Sequence, residues 1–531
     1  MALRARRSVQ IDYPTTRAFE IRPIQGQWDF ESGQQMPLGG SPDMLNCMVL
    51  NGVLRKRPGY AQYQSGNSAF SSAIVGLYST QDDENNTHLY AVHTTGVMKY
   101  NTASQDWDAC SGPALTGAAS QLFSFETSQN SVVFSQGVDQ VMRVPMTTTY
   151  AILNADCPAA RYLTRAIDRL VLAYTLESGA TKPFRVRRCV SADHTNWTGT
   201  GSGFTDLSEF PYHIRGIRKL LDQVAIYTEK SIFVGTRTGQ ASAPFDFDPH
   251  VTDLGLYAPY TLRGRNEVHY FVGNDDVYEF TGSRATPLAL PVRDSIVINL
   301  NPSVLQRMFA EILVDSQEYV CFLATSGATL PDQPWVYNFS RKIWYPWSIP
   351  EIHQCACIHR LDDTQTWDST AGTWDEQTAE WDSRQIATAY PAMLTGGSDG
   401  KVYRWGTNYA SDNGTAITCR WTSKDFMAED IDPAAIGQLI TLKKIPFTYV
   451  DQGVDFSLTF SYSTDGGGTW SSADTVSVTG GSAGRKTLIM YRIVTGNRIR
   501  FKIEQSSATE TFQIEAFRPE FELRNSPEYA A

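Results

Sequence analysis

From about residue 72 onward, apolar stretches come in pairs separated by a tight polar turn. Examples are LYAVHTTGVMKY (89–100), VVFSQGVDQVMRV (132–144), VAIYTEKSIFVG (224–235), VHYFVGNDDVYEF (268–280), WVYNFSRKIWYPW (335–347) and TGGSDGKVYRW (395–405). Alternating apolar positions around a Gly, Asn-Asp or Lys-bearing turn are the mark of a β-hairpin. The unit returns at intervals of roughly 40–50 residues, the spacing of four-stranded propeller blades. Helical periodicity is scarce. NPSVLQRMFAEIL (301–313) reads as one short helix or as a strand with a polar lead. The expected fold is all-β, a β-propeller of about seven blades; a stack of sandwiches is the alternative.

The two ends have a different texture. Residues 1–71 lack a regular period and predict an irregular N-terminal arm with one or two strands, pinned by Pro58-Gly59. After Trp421 the strands lengthen and alternate with few breaks, as in DFSLTFSYSTDGG and GNRIRFKIEQ. Alternation at period two buries one face and wets the other, so a C-terminal antiparallel β-sandwich is expected. The organisation predicted is an arm at 1–71, a propeller at 72–420 carrying an insertion at 361–386, and a sandwich at 421–531.

Composition narrows the function classes. The 531 residues are 42% hydrophobic and 19% charged, with 25 Tyr, 25 Phe and 12 Trp, which suits a folded β-rich chain. A net charge of −11 argues against gripping nucleic acid through its phosphates, although it would let DNA pass without sticking. The eight cysteines show no CxxC and read as buried thiols of a reducing cytoplasm. The N-terminus has arginines but no apolar core of a secretory signal, and no run of 18 apolar residues predicts a membrane anchor.

Chemical motifs are few. In HQCACIH, His353, Cys355, Cys357 and His359 alternate with other residues, so a strand places all four on one face. Neighbours on that face lie about 6.6–7 Å apart, so one strand offers a metal two ligands at most. They are expected as packed core. SYSTDGGGTW matches an Asp box at Ser463, Asp465, Gly467, Thr469 and Trp470, a structural hairpin turn; SADHTNW (191–197) is a degenerate echo. Asp275-Asp276 sits where a tight turn wants Asp for backbone reasons. RVRR (185–188) reads as the solvent face of a strand. No phosphate loop, GxSxG elbow or HExxH appears, so no catalytic residue, cofactor or metal ligand is assigned.

The segment QTWDSTAGTWDEQTAEWDSR (365–384) repeats Trp-Asp every seven residues, at Trp367, Trp374 and Trp381. WD-repeat blades would need a 40–45-residue period. Ser, Thr and Gly between the tryptophans disfavour a helix, so a meander of short pieces is expected. It would serve as a contact loop toward a neighbouring subunit or fibre, or as self-packed decoration. Arg4, Arg6 and Arg7 are either a strap onto a neighbour or a frayed terminus.

Two segments carry a family resemblance. The first is GGSPDMLNCMVLNGVLRKRPGY, with Asn46, Gly52 and Arg57-Pro58-Gly59. The second begins at AARYLTRAIDRLVLAYTLESG, continues through SADHTNW and IRGIRKLLDQVAIYTEKSI, and ends at GLYAPYTL and FVGNDDVYEFTG. Together they resemble the β-propeller tail hub or nozzle proteins, also called packaged-DNA stabilisation proteins, of tailed bacteriophages, especially short-tailed ones. The likeness runs over residues 35–295, more weakly to 410, and departs at Arg188-Cys189-Val190. It implies a structural virion protein made in the host bacterial cytoplasm, not an enzyme. Such proteins form a homo-oligomeric ring, usually a hexamer, below the portal and adaptor proteins. The ring continues the channel through which phage DNA passes, retains the packaged genome, and docks tail fibres, spikes or a needle. The alternative is a carbohydrate-binding or glycoside-hydrolysing β-propeller, with paired carboxylates in a pocket on the propeller axis.

Overall fold

A computed structural model describes residues 16–29, 33, 35–63, 70–209, 212–265, 267–360 and 391–524. The chain divides into two units, residues 58–416 and residues 1–57 with 417–531.

The larger unit is a β-propeller. Six separate four-stranded antiparallel sheets follow one another, their first strands being Ile74–Gln81, Ser124–Ser128, Ala159–Ala166, Ile214–Leu220, Arg263–Arg265 and Phe309–Leu313. Four of the six hairpins legible in the sequence are the second and third strands of these sheets, for example Gln223–Thr228 with Ser231–Arg237; WVYNFSRKIWYPW gives the third and fourth strands of the sixth sheet, and TGGSDGKVYRW falls outside the six. Their second strands do not simply alternate: Val132 to Phe134, Leu170 to Ala173 and Tyr319 to Leu323 are continuously buried. Both faces are covered because neighbouring sheets pack on each other. Val171, Ala173 and Val186 of one sheet meet Ile217, Ile226 and Phe233 of the next, and Leu220, Ala225 and Val234 meet Phe271 and Phe280. Residues 301–313 take both forms expected for them, a 3-10 helix over Pro302–Arg307 and then the strand Phe309–Leu313.

A further run of strands, His353–Arg360, Pro391–Gly397 and Val402–Gly406, pairs in order and ends on Gly59–Gln62 from the other end of the propeller sequence. Its residues Cys355, Cys357, Leu394 and Val402 share a core with Ile74, Leu89 and Tyr100 of the first sheet. On the other side His353 and Trp405 lie 6.2 and 6.3 Å, ring to ring, from Phe322 of the sixth. Gly59 is needed for closure: a Cβ there would stand 2.1 Å from the Ser411 carbonyl oxygen, and its N–H donates to the Tyr409 carbonyl at 2.9 Å.

In the smaller unit the described N-terminal residues supply strands to its sheets. Cys47–Leu50 and Val53–Lys56 form a hairpin, and the second of these strands pairs with Gln513–Phe517. Thr16–Ala18 pairs with Glu520–Arg524. A second sheet holds Thr415–Thr422, Arg498–Ser507 and Phe456–Ser463. Aromatic rings join the two sheets: Trp421 stacks on Phe517 at 5.3 Å, and Phe501 meets Phe517 edge-on at 5.6 Å. Buried Arg57 donates from Nε to Asn46 Oδ1 at 2.9 Å, and Asn46 Nδ2 donates to the Thr418 carbonyl at 2.8 Å.

Candidate functional site

The first strands of all six sheets and the strand His353–Arg360 line one cavity of about 1160 Å³ along the propeller axis. These strands pack edge toward edge, so their mid-strand side chains meet in the centre.

Apolar and aromatic residues gather at one end of the cavity. Leu122, Phe123, Tyr162 and Phe309 are buried there. Tyr260 lies among them, 6.1 Å ring to ring from Tyr162, and donates its O–H to the Leu122 carbonyl at 2.6 Å. Its own carbonyl accepts from the Ala310 N–H at 3.2 Å. Burial pushes its phenol far above the ordinary range, so the hydroxyl stays a donor. At the opposite end Arg165, Lys219, Leu221, Asp222 and Glu267 are exposed and form a polar mouth.

Between the two ends lie four charges. Glu126 accepts from the backbone N–H of Arg165 at 3.0 Å and of Thr127 at 3.2 Å, and from the Thr164 hydroxyl at 3.4 Å. Burial raises the pKa of its carboxyl, which those N–H donors partly offset. Glu311 pairs with Arg263 Nε at 3.3 Å and accepts from the Ile312 N–H at 3.0 Å. Arg263 Nη1 also donates to the carbonyls of Tyr260 and Leu262, each at 3.1 Å. The fourth charge, Arg218, makes no hydrogen bond or ion pair among the described residues. Burial, and then the charge of Arg263, push its pKa down. Beside it His269 bridges the Tyr227 hydroxyl at 2.8 Å and the Lys219 carbonyl at 2.9 Å. Burial and the Arg218 charge depress the imidazole to about 3.

The residues singled out in the sequence fall elsewhere. Trp367, Trp374 and Trp381, with Arg4, Arg6 and Arg7, lie outside the described residues. Cys355 and Cys357 pack in the core between sheets. His353 is enclosed by the rings of Tyr60, Tyr403 and Trp405, and His359 Nδ1 is 2.9 Å from Ser79 Oγ. A register shift between His353 and Cys355 breaks the even alternation expected of that strand. Among the described residues no three His, Cys, Asp or Glu are grouped to hold a metal. The Asp box is a turn: Asp465 accepts from the Thr469 N–H at 2.9 Å and hydroxyl at 2.6 Å, and Ser463 Oγ accepts from the Gly467 N–H at 2.8 Å. Its echo repeats the device, with Asp193 accepting from the Thr195 N–H at 3.0 Å above buried Trp197. Asp276 caps the backbone N–H groups of Leu288 and Ala289 at 3.2 and 2.8 Å. RVRR is not a plain solvent face: Arg185 pairs with Glu177 and Asp206, and Arg188 is buried and donates to the Ser242 carbonyl at 2.9 Å.

Glu126, Arg218, Arg263 and Glu311 escaped the sequence reading. The signal available was a charge set inside an apolar strand, as in FSFETS, IRGIRKL and FAEIL. Only closure of the ring brings those positions together.

No protein-family model and no curated protein matches the chain. Solved structures similar to it include the extracellular domain of a hybrid two component system from B. thetaiotaomicron, at 10% identity and a TM-score of 0.37 over 65% of this chain. The chain spans 39% of that protein's length. YCF48 from Cyanidioschyzon merolae matches at 8% identity and a TM-score of 0.37, over 66% of this chain and 98% of its own. An exo-beta-1,3-galactanase from Phanerochaete chrysosporium matches at 9% identity and a TM-score of 0.27, over 88% and 100%. At these scores the likenesses carry nothing about activity.

Proposed function

We propose that the chain is a structural protein of a bacteriophage tail, a hub or nozzle. In this reading copies of it, six by the resemblance, form a ring below the portal and adaptor. The ring continues the DNA channel, retains the packaged genome and docks fibres, spikes or a needle. The ordered motifs between residues 35 and 295 are the basis of the reading, and one structural observation supports it. The Tyr260–Leu122 hydrogen bond crosses the propeller axis, and the carboxylates Glu126 and Glu311 on that axis are held by backbone N–H groups and Arg263. A propeller whose axis is crossed in this way suits a wall element. DNA would then run between the subunits of the ring, not down the axis of any one of them, past a chain whose net charge of −11 gives it no grip on phosphates.

Two finer features of the fold belong to the same reading. The strands His353–Arg360, Pro391–Gly397, Val402–Gly406 and Gly59–Gln62 act as a seventh blade, closed by a strand from the start of the propeller sequence. The smaller unit is a β-sandwich completed by the N-terminal strands.

Electron microscopy of the particle that carries this protein tests the proposal. A closed ring at the tail, with propellers side by side around a central channel, is expected. A monomer absent from particles that cleaves a glycan would overturn it in favour of the carbohydrate-active alternative.

A further inference from the structure

We propose that the axial cavity binds a small carboxylate-bearing molecule through the guanidinium of Arg218. The argument rests on a count of donors and acceptors. Glu126 and Glu311 already accept on both oxygens, from Thr127, Arg165 and Thr164 in one case and from Ile312 and Arg263 in the other. Arg263 directs its Nε at Glu311 and its Nη1 at two backbone carbonyls, so three of its five donors are engaged. Arg218, in the middle of the cavity, carries five N–H donors with no acceptor among the described residues, whereas Arg265, also on the lining, lies over the Phe339 ring at 4.9 Å. Two guanidiniums and two carboxylates leave this ring of charges neutral, so the free donors select the ligand, not an excess of charge. An oxyanion is their match. A planar two-oxygen carboxylate meets the guanidinium fork with two parallel hydrogen bonds.

The surroundings are built to hold that side chain. Arg218 leaves the mid-point of Ile214–Leu220 and lies over Gly264 of the next sheet, where a Cβ would stand 2.8 Å from Arg218 Nε. His269, fixed by Tyr227 and the Lys219 carbonyl, flanks the same glycine, its ring 3.0 Å from that Cβ position. Exposed Arg165 and Lys219 at the polar mouth give an anion a way in. A volume of about 1160 Å³ exceeds what a single carboxylate fills and accommodates a ligand the size of a short acidic sugar. The proposal is independent of the tail reading, since a free subunit carries the same cavity.

Titration calorimetry of the full chain with trigalacturonate, and with neutral galactotriose and inorganic phosphate as comparisons, tests it. Trigalacturonate is expected to bind and galactotriose to bind at least tenfold more weakly. Arg218→Lys keeps the charge but loses the fork and should weaken trigalacturonate roughly tenfold. Gly264→Ala keeps the guanidinium but displaces it and should weaken binding as well, so the test survives if Arg218→Lys fails to fold. Absence of binding to the wild-type chain, equal binding by the Arg218→Lys and wild-type chains, or tighter binding of phosphate than of trigalacturonate would each overturn the assignment.

Discussion

The Tyr260 hydroxyl donates to the carbonyl of Leu122 at 2.6 Å across 138 residues of sequence, joining opposite walls of the propeller axis. It crosses one end of the axial cavity and links the loop before the fifth sheet to the lead of the second. Tyr260→Phe should lose about 1 kcal/mol of stability, the net worth of one hydrogen bond. Tyr260→Ala should lose about 3 kcal/mol, because the packing against Tyr162 goes with it. Urea midpoints of the two variants measure the difference; equal midpoints would mean that the hydrogen bond contributes nothing.

Gly59→Ala places a methyl group against the Ser411 carbonyl, a backbone atom that cannot swing aside. A loss of about 2–3 kcal/mol is expected. Hydrogen exchange should show it first in Gly59–Gln62 and its partner Val402–Gly406. Protection unchanged in those two strands would show that the closing strand is not held by this close approach.

His269 and His359 are kept neutral by burial, with pKa values of about 3 and about 4. In the unfolded chain each titrates near 6.5. Above that pH neither state is protonated and the stability is fully present. As pH falls below it the unfolded chain gains protons that the fold refuses, at a cost of about 1.4 kcal/mol per pH unit for each histidine. Stability should therefore drop between about pH 6.5 and pH 4. Burial lowers His93 and His194 too, so His269→Gln should remove its own share of that slope and leave the rest, as read from urea midpoints at pH 7, 6 and 5.

All eight cysteines are free thiols and only Cys110 is less than fully buried. Burial lifts the Cys110 thiol to about 11 and Cys157 and Cys355 further. A thiol reagent at pH 8 should modify Cys110 first and slowly, and the other seven only on unfolding. Rapid labelling of Cys355 or Cys357 in the native chain, read by peptide mass, would contradict the packing of that strand.

The Trp-Asp repeat gives the test closest to the proposed assembly. If the loop docks a neighbour, Trp374→Ala should lower the yield of complete particles while leaving the urea midpoint of the isolated chain unchanged. Normal particle yield would leave the loop as decoration.

Much of the propeller was legible because a hairpin is a local object. Ile226-Tyr227 and Phe233-Val234 flank a Glu-Lys turn, and neither the pairing nor its register needs anything distant. The axial site was not legible for the opposite reason. Arg218, Glu126 and Glu311 each look like one charge in an apolar strand, and their meeting depends on how six sheets and one closing set of strands turn around an axis. The HQCACIH strand shows the same limit. Its alternation is visible, but the register shift after His353 answers to Tyr60 and Trp405, which lie hundreds of residues away or on another strand.

The sequence by itself determined the strands, their turns and the all-β class, since period-two patterning and turn chemistry act between neighbours in the chain. It also set the acidic balance and the absence of a compact cysteine framework, which are sums over residues. Only the tertiary structure decided that Gly59–Gln62 belongs beside Val402–Gly406, that Cys47–Leu50 and Val53–Lys56 join a sheet with the last strands of the chain, and that Arg218 faces a cavity with its donors free. Those outcomes follow from burial and hydrogen-bond satisfaction among residues far apart in sequence, and no local pattern encodes which distant partner will supply them.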